Sequence, residues 1–464
     1  MTVWLGDRRI LLAPAVAATA LMLGLAAGIQ PKLTLGAAAA AGVFILAFRA
    51  PVANLTLLLL LTCVVPYGLQ NRFSVGGGGV DSPGLFLSDI VLSAGLLAAV
   101  VVLLHEPLDR RRVAYASVLV LFLVLALLQF LHGMEQGRDL SRIGYEYRIL
   151  LGTGSFLIAV PLLAHTRSRR RLLIALTGVG VALGAWGMLQ WFGHLSYGGD
   201  VGVRPGVLQT TTGTGQLQGG EFAYPAAIVL CFSVLVSGAV RSVALRVALL
   251  VALALNAASC FVTFERTFWL DALLGLGIVF ILMPRGPRLK LALALPIIAL
   301  AGIGTLTVLA PKQFTTAEQR ALSLGRASED ESVRYRLVES QFVYARIRAH
   351  PVTGSGLGAT IFWGRPWQQV TPATYAFSHN GFLWLAWKVG IPTALLLVGL
   401  LLSAVFLRAP PGDDPLTRAI RNGSRGALAG LLLATTTFST FNELNITSAI
   451  GVLLALAVCP VPDE

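Results

Sequence analysis

Charged side chains are scarce in this sequence. Only 12% of the 464 residues are Asp, Glu, Lys or Arg, whereas 56% are hydrophobic and the mean hydropathy is +0.76. A soluble domain cannot bury so much apolar surface, which excludes the water-soluble globular class. Backbone groups in lipid must be hydrogen-bonded internally, so the long apolar runs predict helices rather than a barrel. The predicted fold class is an all-α, polytopic integral membrane protein.

Cysteine is also rare. The four cysteines have no paired spacing, which argues against a disulfide framework and a zinc site. They fall in or at the ends of apolar runs, at Cys63, Cys231, Cys260 and Cys459. The polar loops contain no paired acidic motif and no His/Cys cluster, so we expect neither a metal nor another cofactor. An internal repeat and a separate soluble domain are absent as well.

The apolar runs predict about fourteen transmembrane helices, with about twelve as the alternative because several runs are short or rich in Gly and Ala. The first run, residues 10–29, follows Asp7, Arg8 and Arg9. We interpret it as an uncleaved span because further membrane runs follow. The other predicted spans are 33–48, 52–68, 86–104, 113–131, 148–165, 172–191, 223–240, 247–264, 267–283, 291–310, 381–407, 427–440 and 446–459.

The loops between these spans alternate in character. Cytoplasmic placement is expected for the basic loops, which are 110–112, 167–171, 241–246, 285–290 and 408–425. The glycine-rich, polar loops are then outside: 69–85, 132–147, 192–222 and 311–380. The formal charge of +13 thus indicates topology rather than nucleic-acid binding. Loop 311–380 is itself basic but too long for the charge rule, so its arginines need another explanation.

One helix is predicted inside loop 311–380. Ser328 fits an N-cap with Glu331 at the third helical position, and Pro351 ends the helix near His350. An apolar stripe predicts that this helix lies along the outer membrane surface. The stripe consists of Tyr335, Val338, Phe342, Ala345 and Ala349, while Arg336, Glu339 and Arg346 share another face.

The stretch from Ala349 to Gly390 contains a His-Pro step, the run GSGLG, a polar loop and SHNGFLWL, followed by Gly-Ile-Pro. In this order the chain resembles the bacterial O-antigen ligase and polymerase family, over roughly Arg204 to Pro392. The resemblance implies a polytopic membrane glycosyltransferase whose donor is an undecaprenyl-diphosphate-linked glycan. It divides the chain into N-terminal membrane helices, 1–191, and a catalytic membrane region, 192–464, which includes outer loop 311–380.

The glycines of this stretch do not predict a nucleotide-binding loop. Gly354, Gly356 and Gly358 follow no predicted strand, and their spacing is neither GxGxxG nor GxxxxGK. A tight turn at the membrane surface is the better interpretation.

Two arginines are candidate diphosphate ligands. Arg266 follows Glu265 between two spans, where the family typically has an arginine, often after serine. The structural alternative is an arginine that snorkels to the membrane surface or pairs with Glu265. Arg336 matches the family's arginine about fourteen residues before the His-Pro step, with Arg334 as the fallback. Its structural alternative is a surface charge bonded to Glu339.

His379 is the candidate base. It stands directly before a membrane span, where the family has its His-Asn pair, and an imidazole can accept a proton from a sugar hydroxyl near neutral pH. A lone histidine at a membrane surface is otherwise more often structural. Lys388 replaces an acidic residue that the family often carries, which removes the support for an acid at that place. The remaining substrate-binding candidates are Arg204, Arg334, Asn380 and Glu339.

The resemblance implies transfer of a glycan to an acceptor hydroxyl on the outer face of the cytoplasmic membrane. A ligase would use a lipid-anchored core sugar as acceptor, and a polymerase would use another lipid-linked repeat unit. The expected partners are the glycan donor, a lipid or glycan acceptor and membrane lipids, without nucleic acid. The alternatives are a transporter of an anionic solute or lipid, and a non-catalytic partner in envelope assembly.

Overall fold

The computed structural model confirms an all-α membrane fold. It describes residues 31–65, 86–105, 109–193, 202–204, 216–218, 223–286, 288–289, 291–293, 304, 307–308, 310–322, 325, 331–365, 370–407 and 413–458. Within these residues, five helical segments are long and apolar enough to cross a membrane: Leu87–His105, Arg110–Glu135, Leu140–Leu163, Arg167–Gly193 and Val243–Val262. The predicted span 10–29 and most of 291–310 lie outside the described residues.

The first half of the chain is a series of helices. They are α1 (Pro31–Arg49), α2 (Pro51–Leu59), α3 (Leu87–His105), α4 (Arg110–Glu135), α5 (Leu140–Leu151), α6 (Ser155–Leu163) and α7 (Thr166–Gly193). Helix α2 continues into a π turn, Leu60–Val64, and a 3₁₀ turn, Gly152–Gly154, joins α5 to α6. Asp109 and Asp139 accept hydrogen bonds from backbone N–H groups at the starts of α4 and α5, which fixes where these helices begin.

The second half continues with helices and two short antiparallel ladders. The helices are α8 (Ala223–Val236), α9 (Val243–Val262), α10 (Arg266–Leu282), α11 (Pro311–Leu322), α12 (Glu331–Ala349), α13 (Gly381–Val389), α14 (Ile391–Phe406), α15 (Pro415–Ala434) and α16 (Leu444–Val458). Strand β1 (Gly202–Arg204) pairs with β2 (Gln216–Gln218), and β3 (Ile361–Arg365) pairs with β4 (Val370–Tyr375).

One apolar core runs through the bundle from α1 to α16. Helix α15 packs against α8, α10 and α16, while α7 packs along α9. The contact between α10 and α15 is close because Gly275 and Gly426 face each other, and a Cβ at Gly426 would lie 2.6 Å from the carbonyl oxygen of Gly275. Small residues of this kind allow membrane helices to approach backbone to backbone.

Contacts at the helix ends join described parts of the predicted loop segments to other elements. At one end, Arg169 near the start of α7 forms an ion pair with Asp414, which directly precedes α15, 3.1 Å away. At the other end, the backbone N–H of Leu357 in loop 311–380 donates to the carbonyl oxygen of Gln129, near the end of α4.

Several predicted boundaries differ from the structure. The basic segments 110–112 and 167–171 were expected as loops but lie at the starts of α4 and α7, and α9 begins within the expected loop 241–246. Segment 132–147 was expected as a loop, but α4 extends into it and α5 begins within it. The basic segment 408–425 was also expected as a loop, yet α15 begins at Pro415, where Asp414 caps the first turn. The predicted span 381–407 is two helices, α13 and α14, which are separated at Gly390.

Gly390 explains the break between α13 and α14. Its φ of 82° and ψ of 156° fall in a region that is essentially restricted to glycine. A Cβ there would overlap the carbonyl oxygen of Val352, because the chain before the glycine run packs onto the break. The N–H of Ile391 donates to the carbonyl oxygen of Pro351 at 2.8 Å. The segment that follows α12 therefore packs directly against the break between α13 and α14.

We predict that Gly390→Ala destabilises the protein by at least about 1–3 kcal/mol, the usual range for a strained backbone conformation, because the overlap adds to it. Gly399→Ala is the matched control, since Gly399 is helical and a Cβ there meets nothing within 4 Å. It should leave stability unchanged or raise it by up to about 1 kcal/mol. Thermal unfolding in detergent measures both, and equal unfolding temperatures would contradict the explanation of the break.

Candidate active site

Helix α12 carries the candidate site. It spans Glu331–Ala349, as predicted, while the expected cap at Ser328 lies outside the described residues. Its fully buried face consists of Glu339, Val343 and Ile347 rather than the predicted apolar stripe. Phe342 of that stripe is 44% exposed. The difference arises because α12 packs against α13 through a face that includes a carboxylate with partners of its own.

Those partners belong to His379. The Nδ1 atom of His379 lies 3.1 Å and 3.2 Å from the two carboxylate oxygens of Glu339, and its backbone N–H donates to the Oε2 atom at 2.8 Å. The Glu339 side chain is 0% exposed, whereas that of His379 is 25% exposed. A neutral imidazole that donates from Nδ1 to a carboxylate has its Nε2 lone pair available. The geometry therefore produces a histidine that can accept a proton at Nε2.

Two aromatic rings pack against the imidazole of His379. The ring of Tyr335 on α12 meets it edge-on with 5.3 Å between centroids, and the ring of Phe377 lies 5.2 Å away. Trp363 on β3 packs against Tyr335 at 4.8 Å and against Tyr375 on β4 at 5.4 Å. Aromatic pairs of this kind contribute about 0.5–1.5 kcal/mol each beyond burial. The β3–β4 ladder thus has a positioning role that the sequence did not predict.

Hydrogen bonds at the start of α13 fix the position of His379, which lies just before this helix. The side-chain oxygen of Asn380 caps this helix by accepting from the N–H of Leu383 at 3.0 Å. The N–H of Gly381 donates to the carbonyl oxygens of Thr435 and Phe438. Asn380 was expected to contact substrate, but its oxygen is used as a helix cap. Glu339 was also expected to contact substrate, but its buried carboxylate is better placed to orient His379.

Arg266 borders the same turn as His379. It is the first residue of α10 and comes two residues after Phe264, a fully buried residue with a φ of 50°. Such a conformation is a genuine outlier for a bulky side chain, and strained residues of this kind cluster at functional sites. The hydroxyl of Thr267 lies 3.0 Å from that of Thr437, in the Thr435–Phe438 turn that also binds Gly381. The structure therefore brings the start of α10 and the start of α13 to one turn.

The other predicted arginines are distributed around this region. Arg336 is half-buried on α12, three residues before Glu339, whereas Arg334 is exposed. Arg204 ends strand β1, and the β1–β2 ladder contacts α7 and α9, the helix that leads to Arg266. Arg336 thus lies one helical turn before Glu339, and strand β1, which ends at Arg204, contacts α7.

The glycine run forms a tight turn, as predicted. Gly354, Gly356 and Gly358 have φ values of 71°, 81° and 76°, which favour glycine. The N–H groups of Ser355 and Gly356 donate to the carbonyl oxygens of Trp387 and Lys388 at the end of α13. The turn therefore closes over the end of α13 and joins it to α4.

A buried ion pair beneath this turn was missed by sequence reasoning. The Nζ atom of Lys388 lies 2.5 Å from the Oε1 atom of Glu146 and donates to the carbonyl oxygen of Ala359 at 2.6 Å. The other Glu146 oxygen accepts from the N–H of Gly358 at 2.7 Å. Both charged side chains are almost completely buried. A signal was present, because Lys388 interrupts an apolar run, where a charge requires a partner.

Removing one partner of this pair should be strongly destabilising. We predict that Glu146→Gln and Lys388→Met each reduce the free energy of unfolding by about 3–5 kcal/mol, because each leaves a buried charge uncompensated. The double variant should lose less than the sum of the two. Glu135→Gln, whose side chain is 81% exposed, is the control and should change stability by less than about 0.5 kcal/mol. Additive losses in the double variant would show that the two charges are not coupled.

Comparison with known proteins supports the resemblance. A family model described as O-antigen ligase matches residues 248–398, which is about a third of the chain. No curated protein matches the chain. The matched region runs from α9 to α14 and contains Arg266, Arg336, the glycine turn and His379. The resemblance to the O-antigen ligase and polymerase family is thus confirmed over this region, and it supports a function of that type.

Proposed function

Because residues 248–398 match the O-antigen ligase family, we propose that the protein is a membrane glycosyltransferase of that type. It transfers a glycan from undecaprenyl diphosphate to an acceptor hydroxyl on the outer face of the cytoplasmic membrane. The observation that carries the proposal is the buried Glu339 carboxylate bonded to Nδ1 of the partly exposed His379. A carboxylate in this position fixes the tautomer of a histidine base and stabilises the imidazolium that forms.

The reaction is a direct displacement at the anomeric carbon. Nε2 of His379 accepts the proton of the acceptor hydroxyl while its oxygen forms the new glycosidic bond. The bond between the anomeric carbon and the diphosphate oxygen breaks, and undecaprenyl diphosphate leaves with the bonding electrons. Glu339 remains ionised and holds the protonated ring until solvent removes the proton.

Arginines bind the diphosphate in this proposal. Arg266 and Arg336 stabilise the charge that develops on the leaving group, since the planar guanidinium matches pairs of phosphate oxygens. Arg334 and Arg204 are further contacts for the donor, and Asn380 is a weaker candidate because it caps α13. No step requires a metal ion, so transfer should continue in the presence of EDTA.

The test is transfer by the purified protein in detergent with an undecaprenyl-diphosphate-linked glycan. We propose the ligase form, which predicts a single addition to a lipid-anchored core sugar. A ladder of products made from the donor alone would instead support the polymerase form. Absence of any transfer, together with passage of the lipid-linked glycan across a proteoliposome membrane, would favour the transporter.

His379→Ala is predicted to reduce transfer by about 10²–10⁴-fold, the usual contribution of a general base, and to leave donor binding largely intact. Glu339→Gln should cause a loss of similar order, because the amide no longer favours the productive tautomer. His165→Ala is the control, since His165 is exposed in the turn between α6 and α7 and is distant in sequence from His379. Turnover and donor binding are measured for each variant. Normal turnover by His379→Ala would return this histidine to a structural role.

The lysine variants Arg266→Lys and Arg336→Lys test the diphosphate site. Each keeps the positive charge but loses the two-pronged hydrogen bonding of arginine, and loss of one such donor typically costs on the order of 3 kcal/mol in the transition state. We therefore expect about a hundredfold lower turnover with normal membrane insertion. Arg348→Lys, at the exposed end of α12, should behave like the wild type. Near-full activity of both test variants would exclude a diphosphate clamp.

A further inference from the structure

A polar cavity lies beside the candidate active site. Its volume is about 340 Å³, and it opens between the end of α4, the end of α12 and the glycine turn. Its basic lining residues are His132, Arg138, Arg346 and His350. The proposed chemistry does not use this cavity, so its basic lining requires a separate explanation.

Two of these basic residues, Arg138 and His132, are held by hydrogen bonds. One guanidinium nitrogen of Arg138 donates to the carbonyl oxygens of Gly356 and Leu357, at 2.9 Å and 3.0 Å. The Nε2 atom of His132 lies 2.8 Å from the side-chain nitrogen of Gln136. These contacts hold two basic groups in fixed positions next to the glycine turn.

Two other basic residues that line the cavity have no such contacts. Among the described residues, the guanidinium of Arg346 and the imidazole of His350 have no hydrogen-bond or ion-pair partner. The nearby acids do not pair with these two groups: Glu146 is paired with Lys388 below the turn, and the Glu135 carboxylate, whose side chain is 81% exposed, lies 3.9 Å from Nδ1 of His132. The cavity therefore has a positive potential and favours an anion.

The position of the cavity relates it to the reaction. Arg346 is seven residues after Glu339 on α12, which corresponds to about 10 Å along a helix. Arg336 lies on the other side of Glu339 along the same helix. His379, which is anchored on Glu339, thus stands between the proposed diphosphate arginine and the cavity. In a direct displacement, the attacking hydroxyl approaches the sugar from the face opposite the leaving group.

We infer that this cavity binds an anionic substituent, a phosphate or a carboxylate, of the acceptor glycan. The inference rests on the proposed function, because the acceptor is defined by it. Arg346 and His350 hold the anion, and Arg138 provides a fixed positive charge beside the glycine turn. The acceptor hydroxyl is then presented to Nε2 of His379 from the side opposite the diphosphate. Such contacts determine which acceptors are used rather than how fast the bond forms.

The first experiment measures anion binding without any glycan. Inorganic phosphate and acetate are titrated by calorimetry against the purified wild-type protein and against Arg346→Gln and His350→Gln. The matched control is Arg348→Gln, because Arg348 is in the same last turn of α12 but does not line the cavity. We expect binding of one of the two anions that both test variants weaken about tenfold and the control does not. Preference for phosphate or acetate identifies the chemical class.

The second experiment measures steady-state transfer with the same variants and a phosphorylated or carboxylated acceptor. Arg346→Gln should raise the KM for the acceptor about tenfold and leave kcat and the KM for the donor unchanged. An acceptor without its acidic group should show equal KM values for variant and wild type. A change in the donor KM alone, or an unchanged acceptor KM, would overturn the assignment to the acceptor.

The two experiments separate the inference from the proposed function. If the wild-type protein binds neither phosphate nor acetate, the anion site is wrong even when transfer is active. If the wild-type protein binds an anion but shows no transfer, the proposed function and the acceptor assignment fail together, while the anion site itself is supported.

Discussion

Two opposite charges buried within the helix bundle determine the geometry on which the candidate site depends. Glu146 on α5 and Lys388 on α13 neutralise each other, and both also bind the backbone of the glycine turn. A buried ion pair of this kind adds little net stability compared with apolar packing, but it strongly disfavours arrangements that separate the charges. Its main effect is therefore to specify one relative position of α5, α13 and the turn.

The candidate site is an extension of that arrangement. Helix α13 is fixed at its end by Lys388 and at its beginning by the Asn380 cap, and His379 immediately precedes it. Glu339 on α12 contacts His379, and the segment that follows α12 packs against the break at Gly390. Residues of the N-terminal region thus support a site whose proposed chemical groups all belong to the C-terminal region. A rigid scaffold of this type is what a positioned base requires.

The sequence predicted the features that depend on local pattern, and missed those that depend on packing. The helix before the glycine turn, the tight turn itself and a helix that begins directly after His379 and Asn380 follow from capping and periodicity, backbone preferences and the family resemblance. The bond between His379 and Glu339 joins residues 40 positions apart, and the Glu146–Lys388 pair joins residues 242 positions apart. No local period encodes such distances, so Glu339 was interpreted as a substrate contact. The break at Gly390 was missed because its cause, the close approach of Val352, is also a packing effect.

The buried lysine has a consequence for biogenesis. During synthesis, Glu146 enters the membrane long before Lys388 leaves the ribosome, since translation proceeds from the N-terminus at about 5–20 residues per second. Helix α13 is only 9 residues long, which is too short to cross a bilayer, and it carries the charge of Lys388 near its end. Docking of α13 onto α5, which is synthesised first, therefore gives Lys388 its ion-pair partner. The N-terminal half thus provides a contact that α13 of the C-terminal half requires.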